Sequence, residues 1–320
     1  MKNKLISLIL LACLSFGGCQ KTSGEMLAFK EMKASSGFTF DSQLMEADFF
    51  AKNLAIISEE ENYTEDTLGS SEASLLIDIT NNEIIHADNV YEKLYPASLT
   101  KLMTALIVLR YGELTDLVTV SYNASHITES GAKLCGFKEG DIVSLEALLN
   151  ALLIYSGNDV GIAIAEHIGG SEEGFAKMMN EEAKKIGAVH SNFVNAHGLH
   201  DDNHYTTAYD LYLIFNELIP YDTFLSIINT PSYTVTYTDK DGNNLEKTFA
   251  TTNRYLNGKT DLIEHLEIIG GKTGTTFKAG NCLILLSKDN SAQYISLILK
   301  ASSGDQLYSE MSQILSTITE

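Results

Sequence analysis

Residues 95–109 read YPASLTKLMTALIVL, and the placing of this stretch decides the fold. Pro96 pre-sets a backbone angle suited to a helix entry. Beyond it Leu99, Leu102, Met103, Leu106, Ile107 and Leu109 leave almost no polar face. That predicts a helix from about Ser98 to Arg110 buried at the centre of a domain. Ser98 and Lys101, three apart at the helix start, share one face, so the amine can reach the hydroxyl. A serine is a weak nucleophile until a neighbouring base takes its proton, and lysine becomes such a base when desolvation or a second cation favours its neutral form. Burial of the helix supplies that condition.

Upstream, Ser74 to Thr80 and Glu83 to Ala87 flank an Asn81-Asn82 turn, a β-hairpin pattern. Downstream, helices are expected from Ser144 to Tyr155, from about Asp159 to Ile168, and after Ser171, whose Glu172 and Glu173 suit a first turn and whose Lys184, Lys185 and Gly187 suit an end. From Tyr233 the pattern returns to alternation. Tyr233 to Thr238 and Leu245 to Ala250 flank an Asp241-Gly242 turn, Leu283 to Ser287 and Tyr294 to Leu299 are apolar strands, and a helix from about Asp305 to Ile318 follows. Strands at both ends around a helical middle indicate an α+β domain whose antiparallel sheet joins the two ends of the chain beside a helical cluster.

The 320 residues carry 42 acidic and 22 basic side chains, a formal charge of −20. A phosphate-binding surface would have to be built against that field, so nucleic acid is not an expected partner. Lys2 and Lys4 precede an apolar run from Leu5 to Phe16, followed by Gly17, Gly18 and Cys19, the order of a secretory signal too short to span a bilayer. Residues 1–18 are therefore read as a signal, 19–70 as a spacer with one helix around Ser42 to Ile57, and 71–320 as the catalytic domain. The small-small-Cys ending resembles a bacterial lipobox, which makes Cys19 the expected diacylglycerol anchor at the outer face of the membrane; simple secretion is the alternative.

Two more polar stretches interrupt the apolar pattern. Ser156-Gly157-Asn158 separates two buried helical runs, and a polar turn there is expected to face a cleft. Gly271-Lys272-Thr273-Gly274-Thr275 follows Ile268-Ile269 on a predicted strand edge, where Gly274 would let a peptide approach the backbone and Lys272 with the two threonine hydroxyls would meet a carboxylate. Ser130 and Lys133 repeat the Ser-x-x-Lys spacing, but in a Gly-containing polar stretch with no apolar helix behind it, so they are read as surface loop. His197, His200 and His204 with Asp201 and Asp202 have a metal-like composition on a loop that fixes no ligand geometry; no metal and no cofactor is expected. Cys135 and Cys282 read as buried cysteines, with a mutual disulfide left open.

Ser98-x-x-Lys101, Ser156-x-Asn158 and Lys272-Thr273-Gly274 stand 58 and 116 residues apart, counted from Ser98 to Ser156 and from Ser156 to Lys272. In this order the chain resembles the penicillin-binding proteins and serine β-lactamases. YPASLTKLMTALIVL, SGNDVGIAIAEHIGG, NAHGLHDDNHYTTAYDL and GGKTGTTFKAGNCL are similar to the low-molecular-mass D-alanyl-D-alanine carboxypeptidases in particular. The resemblance implies a transpeptidase-like fold and a β-lactam-sensitive acyl transfer on peptidoglycan stem peptides. Ser98 would be the nucleophile, Lys101 its base, Ser156 the proton donor to the leaving D-alanine, and Asn158 the group positioning the acyl chain. Lys272, Thr273, Gly274 and Thr275 would bind the terminal carboxylate, with the Ser98 and Thr275 amides as oxyanion donors.

Only 45 residues follow Thr275, enough for two strands and a helix, so the further β-rich domain that such proteins often carry is not expected. A class A β-lactamase would have Asp in place of Gly157 and a later deacylating glutamate; the one Glu-x-x-Leu-Asn string, Glu146 to Asn150, precedes the second motif on an apolar helix. Hydrolysis of β-lactams is thus the weaker enzyme reading, and an idle peptidoglycan-recognition lipoprotein is the non-enzyme alternative.

Overall fold

A computed structural model describes residues 54–58, 60–62 and 69–319. The signal segment, Cys19 and most of the expected spacer lie outside the described residues. In chain order the elements are β1 (Ala73–Asp78), β2 (Glu83–Asp88), a 3-10 turn (Ala97–Leu99), α1 (Thr100–Tyr111), β3 (Leu117–Thr119), α2 (Tyr122–Ser125), β4 (Ile142–Ser144), α3 (Leu145–Asn150), a π-helical turn (Ala151–Tyr155), α4 (Asn158–Gly169), α5 (Glu172–Lys185), α6 (Ala208–Leu218), α7 (Asp222–Ile228), β5 (Ser232–Thr238), β6 (Asn244–Ala250), β7 (Glu267–Thr276), β8 (Gly280–Asp289), β9 (Ala292–Ala301) and α8 (Gly304–Ser316).

The principal sheet is antiparallel with strand order β2-β1-β9-β8-β7. β1 pairs with β9, Ala73 opposite Leu299 and Asp78 opposite Tyr294, so strands from both ends of the described chain meet at its centre. Both faces are covered, which is why β8 and β9 read as unbroken apolar runs rather than as alternation. Ile284, Leu286, Ile295 and Leu297 turn into the larger core with α1 and α6. Leu283, Leu285 and Ile298 turn the other way, onto Leu307, Met311, Ile314 and Leu315 of α8. Ser303 caps α8, its hydroxyl accepting from Gln306 N at 3.1 Å. β7 pairs with β8 alone and forms an open edge of this sheet.

The β5–β6 hairpin has the expected register, Ser232 opposite Ala250 and Thr238 opposite Asn244. It belongs to a second four-stranded sheet, order β3-β4-β5-β6, which the alternation alone does not reveal. Phe137 joins the two parts of that sheet's core, its ring 5.0 Å from Tyr237 and 6.2 Å from Phe249.

Three local expectations need correction. The helix expected from Ser144 to Tyr155 is α3 followed by a π turn, closed by a hydrogen bond from Ser156 N to Ala151 O (3.1 Å). Such a wide turn changes the direction of the chain and delivers Ser156 in a left-handed conformation, φ 75°. Helix α6 was not anticipated, although Thr207 caps it through Asp210 N (3.0 Å) and the Thr-x-x-Asp spacing is a start signal. Residues 54–57, inside the expected spacer and its helix, lie against the domain. Ala55 and Ile57 are only 2% and 3% exposed. Ala55 N donates to Tyr212 Oη (3.1 Å), Tyr209 Oη donates to Ala55 O (3.0 Å), and Tyr91 Oη donates to Ile57 O (2.6 Å). Residues 54–57 are an extended strap on the domain, not the end of a helix.

Candidate active site

Every residue of α1 from Thr100 to Val108 is buried. Its polar members are placed, not merely tolerated. Thr100 Oγ1 donates to Ala97 O (2.8 Å) and meets His204 Nε2 (2.7 Å), and Thr104 Oγ1 donates to Ala196 O (2.6 Å). Between them Lys101, 0% exposed, donates to Ser98 Oγ (3.0 Å), Asn158 Oδ1 (2.7 Å) and His197 O (2.5 Å). Burial pulls the Lys101 amine down from 10.5 to about 7, because an ammonium removed from water loses hydration that three neutral acceptors replace only in part. Ser98 sits in the 3-10 turn ahead of α1, after Ala97 in a left-handed conformation (φ 47°), and it lines a cleft of about 310 Å³.

The opposite wall begins with the π turn. Ser156 is buried, and its Oγ has no hydrogen-bond partner among the described residues. An unmatched buried hydroxyl costs free energy, so a donor and acceptor stands ready for a group entering the cleft that Ser156 lines. A Cβ on Gly157 would stand 2.4 Å from Cys135 Sγ and 2.8 Å from Asp159 Oδ1. A side chain at the middle position of this motif would therefore have to displace Cys135 or Asp159. Asn158 N donates to Lys133 O (2.7 Å), while the Asp159 carboxylate accepts from Cys135 N (2.9 Å) and Gly136 N (2.7 Å). These bonds fix residues 133–136 against the first turn of α4.

The third wall is the open edge β7. Lys272 is 1% exposed, and its Nζ donates to Thr273 O (3.0 Å). Burial, then the positive charges of Lys101 and Lys133, hold its amine well below the ordinary lysine range. Thr273 Oγ1 meets Thr252 Oγ1 at 2.5 Å. A Cβ on Gly274 would lie 3.0 Å from Ser98 N and 3.1 Å from Pro96 O, so this glycine also lets the strand edge close on the turn that carries Ser98. Thr275 is exposed on the strand, its Oγ1 3.3 Å from Asn281 Oδ1. Ser98, Ser156, Asn158, Thr273, Gly274 and Thr275 thus line one cleft, with the amines of Lys101 and Lys272 buried just behind it.

Some lining residues were not read from the sequence. Thr252 and Arg254, from the segment between β6 and β7, face the cleft, and Arg254 pairs with Asp305 at 2.6 Å. The stretch read as idle surface loop contributes Gly131 and Lys133. The Ser-x-x-Lys spacing marks Lys133 but does not place it in the cleft; only the fold brings these residues in. The three histidines turn to separate partners: His197 Nε2 to Glu172 (3.4 Å), His200 Nε2 to Asp202 (3.1 Å) and His204 Nε2 to Thr100. Burial lowers the His197 imidazole and takes that of His204 down to about 3, so both stay neutral at physiological pH. Cys135 and Cys282 are buried free thiols, the second pushed up to about 12 by burial.

The fold has counterparts among solved structures. The fold superposes on the Streptomyces K15 DD-transpeptidase with a TM-score of 0.73 at 24% identity, covering 79% of this chain and 98% of that one. It also superposes on the D-alanyl-D-alanine carboxypeptidase DacD of Francisella tularensis, TM-score 0.68 at 25% identity, over 83% of this chain and 73% of the other. In sequence the chain is 32% identical over 251 residues to the D-alanyl-D-alanine carboxypeptidase DacC of Escherichia coli K12, covering 76% of this chain and 60% of the relative. It is 29% identical over 259 residues to the carboxypeptidase DacF of Bacillus subtilis 168, covering 79% and 63% respectively. The chain thus spans about six tenths of the length of these two curated relatives. With residues 60–303 matching the family model described as D-alanyl-D-alanine carboxypeptidase, the chain belongs to that family.

Proposed function

We propose that this protein is a serine-type D-alanyl-D-alanine carboxypeptidase that removes the terminal D-alanine of peptidoglycan stem peptides and is inhibited by β-lactams. The observation that carries the reading is the buried Lys101 amine, held near neutrality, 3.0 Å from Ser98 Oγ at the mouth of a cleft edged by an open strand. A peptide lying along β7 adds its backbone to that edge. Ser98 Oγ attacks the carbonyl between the two D-alanines while its proton passes to Lys101 Nζ. The oxyanion is received by the amides of Ser98 and Thr275. As the amide bond breaks, Ser156 gives the departing amine a proton, Lys101 resupplies it, and water later cleaves the Ser98 ester. Asn158 holds Lys101 and the acyl carbonyl. Lys272, Thr273 and Thr275 take the terminal carboxylate, whose charge favours the ammonium form of Lys272.

Family membership supports this substrate class. Gly157, where a side chain would have to displace Cys135 or Asp159, and Glu146, exposed on α3 away from the cleft, argue against a β-lactamase. The N-terminal signal with Cys19 as lipid anchor places the domain outside the cytoplasmic membrane in this reading. The test is incubation of the full chain with a fluorescent penicillin and, separately, with a stem pentapeptide. A stable adduct and D-alanine release are expected, both lost in Ser98→Ala. Labelling that persists in that variant refutes the nucleophile, and labelling without D-alanine release refutes the carboxypeptidase.

A further inference from the structure

The cleft holds a cation that the mechanism above does not use. Lys133 lines it beside Gly131, Ser156, Asn158 and Leu199. Its position is built: Asn158 N binds its carbonyl, Asp159 anchors the next two amides but one, and its Nζ lies 4.0 Å from the centroid of the Tyr155 ring. The ring face steadies an ammonium without neutralising it. No carboxylate among the described residues pairs with it, and desolvation lowers its amine. A half-buried cation with no counter-ion is an arrangement that an arriving anion relieves. The chain's formal charge of −20 repels anionic peptides at long range, so a cation inside the cleft decides what is held there.

Its place in the cleft selects which anion. The terminal carboxylate goes to Lys272 and its threonine neighbours on β7. Lys133 lines the same cleft, and its carbonyl is held by Asn158 N, the residue that holds the acyl carbonyl in the proposed mechanism, so its side chain is assigned to the part of the peptide retained on Ser98. Resting on the stem-peptide reading, we infer that Lys133 is a specificity-determining residue that receives a side-chain carboxylate on the acyl side of the scissile bond. A diaminopimelyl side chain presents such a group. A lysyl side chain, ending in an ammonium alone, is disfavoured at the same place.

The experiment compares kcat/KM for D-alanine release by the full chain from three pentapeptides. They differ only in the third side chain: diaminopimelyl, its carboxamide of the same shape, and lysyl. The diaminopimelyl peptide is expected to react about tenfold faster than either of the others, the scale of one hydrogen bond to a charged group. Lys133→Gln should bring the three within about twofold of one another, Lys133→Arg should keep the order, and Lys133→Glu should reverse it, a pattern no merely structural role of this side chain produces. Fluorescent penicillin labelling of each variant reports an intact nucleophile. Equal rates on the three peptides in the wild type, or a preference surviving in Lys133→Gln, overturn the role of Lys133 while leaving the carboxypeptidase standing. Labelling with no turnover of any peptide overturns the stem-peptide reading and this inference with it.

Discussion

Asn158→Asp tests the base with almost no change of shape. In the wild type the Asn158 Oδ1 is a neutral acceptor 2.7 Å from Lys101 Nζ. Lowering the amine from 10.5 to about 7 is worth about 5 kcal/mol at 1.36 kcal/mol per pH unit. About half of the enzyme then holds a neutral base at pH 7, against roughly three molecules in ten thousand for an ordinary lysine. A carboxylate in the same place favours the ammonium and raises its pKa by about two units. Acylation by fluorescent penicillin at pH 7 should fall about fiftyfold and be regained as the pH passes about 9. The assay is the second-order labelling rate from pH 5.5 to 9.5, taken as the ratio of variant to wild type, so that titration of Lys272 and decay of the probe affect both alike. For the wild type alone the rate should climb tenfold per unit below pH 7 and level off by about 8. The reasoning is refuted by a wild-type rate flat across this range, or by an Asn158→Asp loss that alkaline pH does not restore.

Ser156→Ala should separate function from stability. The hydroxyl has no partner among the described residues, so stability should stay unchanged or rise by up to about 1 kcal/mol, while D-alanine release falls by roughly 10²–10⁴; a large loss of melting temperature would mean that the hydroxyl is a structural bond. Gly157→Asp, which recreates the β-lactamase spelling of the motif, puts a Cβ 2.4 Å from Cys135 Sγ and a second carboxylate beside Asp159. A destabilisation of about 2–3 kcal/mol, or roughly 5–10 °C in Tm, is expected by calorimetry, and a variant as stable as the wild type would show that the turn relaxes freely.

What the sequence revealed and what it withheld divide along a physical line. Asn81-Asn82 and Asp241-Gly242 mark hairpins because a tight turn is decided by its own residues. Helix α1 is legible because an apolar stretch with one proline at its entry has few other options. The π turn is not, because its left-handed exit at Ser156 is stabilised by what surrounds it: Cys135 above Gly157, and Asp159 gripping the loop. Helix α6 is buried without a break from Asp210 to Phe215, so an exposed face is confined to its ends and its period is weakly marked. Thr252, Arg254 and Lys133 reach the cleft from segments with no regular pattern, and their contribution depends wholly on tertiary placement. Ser98, Lys101, Ser156, Asn158 and the β7 residues were picked out because buried-helix and strand-edge contexts make polar residues conspicuous.

Two buried lysines beside one nucleophile have opposite tasks in the proposed mechanism, and their mutual repulsion helps to keep the tasks apart. Lys101 must be neutral to take a proton; Lys272 must be charged to hold a carboxylate. Burial disfavours charge on both, and a charge on Lys101 further lowers the Lys272 amine. Repulsion is reciprocal, so an ammonium at Lys272 disfavours one at Lys101. A carboxylate entering beside Thr273 and Thr275 favours the Lys272 ammonium by direct attraction, and that charge in turn leaves Lys101 more fully neutral. In this mechanism, binding of the terminal carboxylate thus prepares the base that takes the proton of Ser98 as it attacks the neighbouring bond. Removing that carboxylate from a substrate by amidation should therefore lower kcat as well as raise KM, whereas a pocket that served only to hold the peptide would raise KM alone.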